Sequence, residues 1–352
     1  MRYYAAFGVA VSLGPMGSNS NNNTTLQDLA TLAGVSVSTV SRALNDHPLI
    51  STRTKQRVWA LARDHDYPFK PTMPSGPIGA VGSIAIVTPV MRGRPLPLSH
   101  PFFLELLANI GEAARERDCD FTVSHTAPTS FDDLIVATTT SRADGVIFLG
   151  QSVLHDEFNR LAGTNARFVV WGAQLPGQLY CSIGSDNLLG GGRATRHLVR
   201  LGRRRILFLG GSDPEAMQRR RGYMEALTES GLETDPELIV SVEFELESAF
   251  SAVSGLLKRG VVFDGVVAAS DLIALGAIQA LRHGGRSVPQ DVSVVGYDDM
   301  LLSRLSTPTL STVRQDTFAA GRLLVSRIMD KDDHQESKRL PTELIIRESC
   351  GG

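Results

Sequence analysis

The chain has 352 residues, 42% of them hydrophobic, and a formal net charge of −2. That length leaves room, beyond a small N-terminal unit, for a second unit of about 270 residues with a sizeable core. Cys119, Cys181 and Cys350 lack metal or redox spacing, which favours a reducing compartment, and no stretch is long and apolar enough to span a bilayer. Residues 2 to 15 are mostly small and apolar after Arg2, a weak imitation of a secretory signal, and Ser18 to Asn23 form a polar, asparagine-rich run. Residues 1–23 are therefore expected to be a disordered extension, of the kind a start upstream of Met16 would add.

From Leu26 to Asn45 the pattern is helix, turn and helix. Thr25 and Asp28 stand in capping-box spacing, and Leu26, Leu29, Ala30 and Ala33 share one apolar face. Gly34 ends that helix. Ser36 caps the next, whose Val40 and Leu44 point inward with Val35 while Val37, Ser38, Ser41 and Arg42 stay outside. Ser51 caps a third helix with Val58, Leu61, Ala62 and His65 inward and Arg53, Lys55 and Arg57 outward. A small outer face ending in arginine suits the major groove of DNA, because hydroxyls contact phosphate or base edges and a guanidinium grips both acceptors of guanine. An ordinary three-helix bundle has the same spacing, so periodicity alone leaves both readings open. Between Thr24 and Thr72 six basic residues face four acidic ones, so nonspecific attraction to DNA is expected to be moderate and salt-sensitive.

The headpiece, residues 24–67, is followed by a proline-rich linker at 68–79, where Pro68, Pro71, Pro74 and Pro77 recur every third residue beside Ser75-Gly76. Proline inside a helix costs about 3 kcal/mol, and a three-residue period is that of polyproline II, so a semi-rigid extended strut is expected. Beyond Ile78 apolar strands alternate with amphipathic helices, the pattern of a parallel sheet covered on both faces. Strands are expected at Ser83 to Thr88, Phe121 to Ser124, Gly145 to Leu149, Phe168 to Trp171 and Tyr180 to Ser185, with helices near Phe102 to Arg117, Asp132 to Thr139 and Asp156 to Ala162. A second series follows, with helices at Leu189 to Arg200, Glu215 to Ser230, Ser248 to Lys258 and Leu272 to His283. Its strands are expected at Ile206 to Leu209, Leu238 to Val242, Gly265 to Ala269 and Val292 to Val295. Two such halves imply two sheets and a cleft, and ligands of open α/β sheets bind outside the carboxyl ends of the strands.

Several stretches resemble the lactose-repressor family. In the headpiece they are Thr25 to Ala30, Ala33-Gly34-Val35-Ser36 and Ser38 to Asn45, with Ser51-Thr52-Arg53-Thr54 and Arg57-Val58 behind them. In the core they are Ser185-Asp186-Asn187, His197-Leu198, Leu201 to Ile206, Arg219 to Tyr223, Asp271 to Gly276 and Val294 to Asp299, so the resemblance runs from Thr24 to Glu348. It implies an α/β protein with an N-terminal three-helix helix-turn-helix headpiece and a two-subdomain, periplasmic-binding-protein-like core of doubly wound parallel sheets. Crossings near Ser185, near Arg314 and a little after Lys331 would divide residues 80–352 into an N-subdomain (about 80–184 and 315–331) and a C-subdomain (about 185–313 and 332–348). By the same resemblance Val37, Ser38 and Arg42 read bases, while Thr25, Leu26, Ser36, Thr39, Ser41 and Asn45 contact phosphate or seat the helix. Val37 equally suits packing, and Thr39 or Asn45 capping.

The resemblance also implies an effector site. Arg219, three residues before Gly222-Tyr223, matches an arginine that holds effector hydroxyls or a carboxylate; Asp298 matches a carboxylate that accepts from sugar hydroxyls; Gln315 lies on a crossing. Such a trio makes paired hydrogen bonds to adjacent hydroxyls in a cleft that excludes water. Phe102, Phe103 and Trp171 from the first half and Phe244 from the second are candidates to stack on a sugar ring, and His100 ends a glycine- and proline-rich stretch facing the same cleft. Competing readings are Asp298 as a cap, Arg219 as part of a solvated Arg219-Arg220-Arg221 run, and the phenylalanines as core. Ser270 is a further candidate contact, although the chain departs from the family there, where an asparagine often contacts ligand, as it does at Gly172, where an aspartate can, and at Thr317, in place of an aromatic found in some members.

These features imply a cytoplasmic, nucleoid-associated transcription repressor. It would bind double-stranded operator DNA as a homodimer and answer to a small-molecule effector, a sugar or sugar derivative, with no cofactor, metal or membrane. Catalysis finds little support, because Gly190-Gly191-Gly192 and Gly210-Gly211 lack phosphate-cradling spacing and the eight histidines are unpaired. The alternative is an exported sugar-binding protein of a transporter, which accounts for the cleft but leaves Thr25 to Asn45 without a purpose. Family members follow the headpiece with a hinge helix that pushes leucines into the minor groove. The linker prolines lead to the expectation of no such helix, with any wedge limited to Met73 or Ile78.

Overall fold

The computed structural model describes residues 24–45, 47, 49–65, 67, 82–88, 90–91, 94–95, 99–124, 127–139, 143–151, 153–330 and 336–351. The expected disordered extension at 1–23 and proline-rich strut at 68–79 lie outside the described residues. The chain divides into two compact units, Met1–Ser75 and Gly76–Gly352.

In the first unit, helices α1 (Leu26–Ala33), α2 (Val37–Leu44) and α3 (Thr52–Asp64) enclose a small core of Leu29, Ala30, Ala33, Val40, Ala43, Leu44, Val58 and Ala62. Its start and turn are set locally. The Thr25 amide and hydroxyl donate to Asp28 Oδ2 at 2.8 and 2.7 Å, and the Asp28 amide returns a bond to Thr25 Oγ1 at 3.3 Å, which completes the capping box. Gly34 takes the left-handed conformation at φ +65° that ends α1, and Ser36 Oγ accepts from the Thr39 amide to start α2. Trp59 Nε1 donates to the Ala43 carbonyl at 2.9 Å, tying α3 to α2. One inward expectation is corrected: His65 lies beyond the end of α3 and is exposed, with its amide donating to the Leu61 carbonyl and its own carbonyl accepting from Thr24 Oγ1.

The second unit begins with β1 (Gly82–Val87), a short ladder of β2 (Val90–Met91) with β3 (Arg94–Pro95), and α4 (Pro101–Arg115). Then come β4 (Cys119–Ser124), α5 (Phe131–Thr139), β5 (Gly145–Leu149), α6 (His155–Ala162), β6 (Phe168–Trp171) and β7 (Ser182–Ser185). The second half continues with α7 (Asn187–Arg200), β8 (Ile206–Gly210), α8 (Pro214–Glu229), β9 (Ile239–Ser241), α9 (Leu246–Lys258), β10 (Gly265–Ala268) and α10 (Asp271–His283). Last are β11 (Ser293–Asp298), α11 (Leu301–Leu305), β12 (Ser311–Gln315), α12 (Thr317–Met329), β13 (Lys338–Leu340) and β14 (Thr342–Ile345). Two six-stranded sheets result, ordered β13-β7-β6-β5-β1-β4 and β14-β12-β11-β10-β8-β9, parallel throughout except for β14 against β12. The strands are near-continuous apolar runs such as Ile206 to Leu209, as burial on both faces requires.

The chain crosses between halves three times. After β7 it crosses at Asp186, whose side chain accepts from the Leu189 amide to cap α7; after β12 it crosses at Asp316, whose side chain accepts from the Ala319 amide to cap α12. The third crossing is corrected: β13 still belongs to the first sheet, parallel to β7, so residues 338–340 leave the expected C-subdomain and the chain crosses at Pro341. α12 packs on the first half through Ala320, Leu324, Val325 and Ile328. The strand expected to stop at Val295 runs on to Asp298, which brings that carboxylate to the strand's carboxyl end.

The glycine run in α7 is a helix crossing. A Cβ on Gly191 would fall 2.1 Å from the Arg219 carbonyl oxygen, and one on Gly222 of α8 would fall 2.0 Å from that of Leu188. Only glycine permits backbones so close, and the contact sets Arg219 beside α7.

Candidate functional site

Ser38 and Arg42 stand one turn apart on α2, both exposed, and the Arg42 guanidinium has no partner among the described residues. At the start of the same helix Ser36 Oγ lies 2.9 Å from Ser38 Oγ and 2.8 Å from Thr39 Oγ1, which gathers three hydroxyls around the helix amino end. A helix amino terminus ringed with hydroxyls suits phosphate, and a neighbouring free guanidinium suits a base edge. The other candidates have structural duties as well. Leu26 and Val37 are half-buried against the headpiece core, Thr25 makes the capping box, and Asn45 Nδ2 donates to the Ser41 carbonyl at 2.9 Å, ending α2.

The core holds a cavity of about 80 Å³ at the carboxyl ends of the strands of both sheets. On the side of the second sheet Asp298 ends β11 with φ at +119°, a conformation that costs an aspartate energy and that the surrounding bonds must hold. Its Oδ1 accepts from Gln315 Nε2 at 2.7 Å and lies 3.9 Å from Arg219 Nη1. Arg219 is 5% exposed and does not belong to a solvated run. Its Nε donates to Asn187 Oδ1 at 2.8 Å, Nη1 donates to the Ala269 carbonyl, and the guanidinium lies 3.7 Å over the Tyr297 ring. Two of its three nitrogens therefore already serve protein acceptors, which makes Arg219 a brace for Asn187 and Asp298 as well as part of the cavity wall. Asp298 is no cap either, since the helix that follows starts after Met300 without a side-chain cap.

Burial pushes the Asp298 carboxyl up to about 7, against the pull of the Arg219 guanidinium and of the Gln315 amide. Glu215, in the first turn of α8, is pushed up to about 7 by burial and by neighbouring Asp213, and it accepts from the Ala173 amide of the first half at 3.1 Å. Asp299 next door belongs to a different network. It is buried against Arg347 at 2.5 Å, Arg314 at 2.8 Å and Arg304 at 3.3 Å, which pins the crossing strands.

On the side of the first sheet Trp171 ends β6, and Phe102 packs tilted against it with centroids 6.0 Å apart and edge-on to Phe103 at 5.3 Å. Phe102 and Trp171 belong both to the apolar core of this half and to the cavity wall. His100 precedes α4 without capping it; its ring meets Phe103 edge-on at 5.6 Å, and burial pulls its pKa below the ordinary range. Phe244 closes the wall from the second half.

Ser270 is the exception among the candidates. Its Oγ caps α10 by accepting from the Ile273 amide at 3.3 Å, and it does not line the cavity, because so short a side chain at a strand-to-helix junction turns to the nearest free amide. Thr317 likewise serves packing, donating to Glu105 at 2.8 Å and accepting from Asn109 at 3.2 Å. The sequence reading missed Gln151, Ser185, Asn187, Asp213 and Glu215, all of them on the wall. Asn187, directly after the Ser185-Asp186 crossing, carried a signal; the others become neighbours only through the sheet order. Among the described residues no cluster of three metal-ligating side chains occurs, and no helix is long and apolar enough to cross a membrane.

The family model "Bacterial regulatory proteins, lacI family" matches residues 25–68, and that of a periplasmic binding protein-like domain matches residues 195–350. The HTH-type transcriptional regulator CelR of Thermobifida fusca is 31% identical over 337 residues, covering 92% of this chain and 98% of that protein. The chain belongs to the LacI family. The regulator AglR of Rhizobium meliloti is likewise 31% identical, over 93% of this chain and 94% of its own. Among solved structures, a CelR–cellobiose complex superposes with a TM-score of 0.67 at 31% identity, covering 92% of this chain and 99% of that one. The Lac repressor dimer bound to operator and an anti-inducer gives 0.69 at 26% identity, covering 94% and 99%. As a LacI-family member the chain is a DNA-binding transcription regulator. Its relatives match through the headpiece as well as the core, which favours regulation over the transporter-protein alternative.

Proposed function

We propose that this regulator represses transcription as a homodimer on a palindromic operator in the cytoplasm, associated with the nucleoid, and that an uncharged sugar in the core cavity sets its operator affinity. It catalyses no reaction in this reading. Arg42 and Ser38, with Val37, read bases, while Thr25, Leu26, Ser36, Thr39, Ser41 and Asn45 position α2 on phosphate. The dimer rests on operator symmetry and on the Lac repressor's dimeric state, since one headpiece reads only a half-site.

The observation that carries the sugar is the composition of the cavity wall. Asp298, Glu215 and Asp213 supply carboxylates against the single guanidinium of Arg219, beside the faces of Trp171 and Phe102. Hydroxyl donors over an apolar ring face fit that wall, and an anionic ligand meets more negative charge than positive. CelR, of similar sequence, is known bound to cellobiose. Thermal-shift titration with glucose, ribose, cellobiose, glucose 6-phosphate and glucuronate tests the reading, because a ligand at 100 times its Kd adds about 2.7 kcal/mol to the folded state. A neutral sugar should raise Tm and change operator affinity in a gel-shift assay. A response confined to the anionic compounds would overturn it.

A further inference from the structure

We infer that Gln151 is a ligand contact that decides specificity, its amide oxygen accepting one hydroxyl of the bound sugar; this rests on the sugar reading of the same cavity. Gln151 lies two residues beyond β5, a central strand of the first sheet, and is 1% exposed on the cavity wall. Its Nε2 donates both protons, to the Ala173 carbonyl at 2.6 Å and to Tyr180 Oη at 2.7 Å. A flipped amide would set oxygen against the Ala173 carbonyl, two acceptors facing each other, so the orientation is fixed. Tyr180 Oη, accepting from Gln151, is itself hydrogen-bonded to His155 Nδ1 at 3.1 Å, which holds the amide from behind.

The remaining atom, Oε1, is buried and has no partner. It is not an isolated defect. Ser185 Oγ is also buried and unpartnered, and Gln151 and Ser185 both line this one cavity, where the His100 ring has the Phe244 backbone beside it. Unsatisfied polar groups gathered on one wall are what a site looks like when the molecule that satisfies them is a ligand. Space is reserved in the same way. A Cβ on Gly172 would stand 2.8 Å from both Cδ and Oε1 of Gln151, so glycine at that position is what lets the glutamine side chain lie along the wall. A carbonyl oxygen only accepts. It therefore selects a hydroxyl that donates and gains nothing from an ether oxygen, a carboxylate or a phosphate.

The test uses the full chain and calorimetric titration with glucose, ribose and cellobiose, followed by each monodeoxy analogue of whichever sugar binds. In the parent protein one analogue should bind about ten-fold more weakly than its sugar, the loss expected when a single acceptor is left unpaired. Gln151→Met keeps length and volume but removes the acceptor, and should bring that ratio to near one. Tyr180→Phe, which leaves the amide present but unlocked, should reduce the same ratio and serves if the first variant does not fold. A purely structural glutamine would weaken sugar and analogue alike and leave the ratio unchanged. An unchanged ratio in folded Gln151→Met, or in Tyr180→Phe where only that variant folds, overturns the assignment alone. Failure of every neutral sugar to bind the parent chain overturns the sugar reading, and this assignment with it.

Discussion

Replacing Gly191 with alanine sets two effects of known size against each other. Alanine is the better helix former by about 1 kcal/mol, which would stabilise α7. Its Cβ, however, would lie 2.1 Å from the Arg219 carbonyl oxygen and 2.8 Å from the Arg219 Cα, where 3.4 Å is the start of ordinary contact. What it strikes is backbone, which cannot rotate away, so α7 and α8 must part by about 1 Å, and overpacking of that kind costs about 2–3 kcal/mol, the upper part of the usual range. Gly222 sits in the same crossing and leaves no slack on the other side. The net expectation is a loss of about 1–2 kcal/mol, together with weaker effector binding because the displaced residue is Arg219 itself. Urea denaturation followed by tryptophan fluorescence measures it cleanly. Trp59 lies in the headpiece and Trp171 in the core, so a Trp59→Phe background reports the core alone. A Gly191→Ala core as stable as its parent, or more so, would show that helix propensity outweighs the contact and that the glycines do not hold these helices together.

Three further outcomes follow from the same geometry. Arg42→Ala should cost roughly 1–3 kcal/mol on the operator and relax preference at one base pair per half-site, whereas an equal loss on random DNA would make it a phosphate contact. Asp298→Asn and Arg219→Ala should abolish the response to effector in a gel-shift titration while operator affinity stays near the parent value; a response that persists removes that residue from the site. Asp298 and Glu215 stand at about 7 in the folded chain against ordinary values of 3.8 and 4.5, so the folded state holds protons that the unfolded state has released. The contribution of these two groups to stability without effector is therefore fully present below about pH 4 and is lost as pH rises through about 7, so the parent should lose more Tm than Asp298→Asn over that range, and an equal or smaller loss in the parent would contradict the assignment.

The headpiece was legible because its determinants are local: Thr25 with Asp28, Gly34, and Ser36 with Thr39 lie within a few residues of one another and name their own geometry. The strands were legible as apolar runs, and Asp298, Arg219 and Gln315 through their place in family motifs. What the sequence withheld were meetings between distant segments. Nothing near Gly172 announces that Gln151 fills the space beside it, nothing near Glu215 announces the Ala173 amide, and the run Gly190-Gly191-Gly192 reveals its use only once Arg219 and Tyr297 are set against it. Ser270 misled for the opposite reason, since a local duty as helix cap outcompeted the cleft.

The crossings at Asp186 and Asp316 have nearly the same backbone, φ −73° with ψ 80° and φ −81° with ψ 79°, and each is followed at once by a helix its own side chain caps. Mechanically these are two matched pivots between stiff members. Any motion that leaves both sheets and both caps intact turns about the line joining them, and Pro341, with φ held by its ring, stiffens the third connection. Rotation about that line is the motion that disturbs neither cap and neither sheet. Ligands of different shape would set different amounts of that one rotation, not rotations of different kinds.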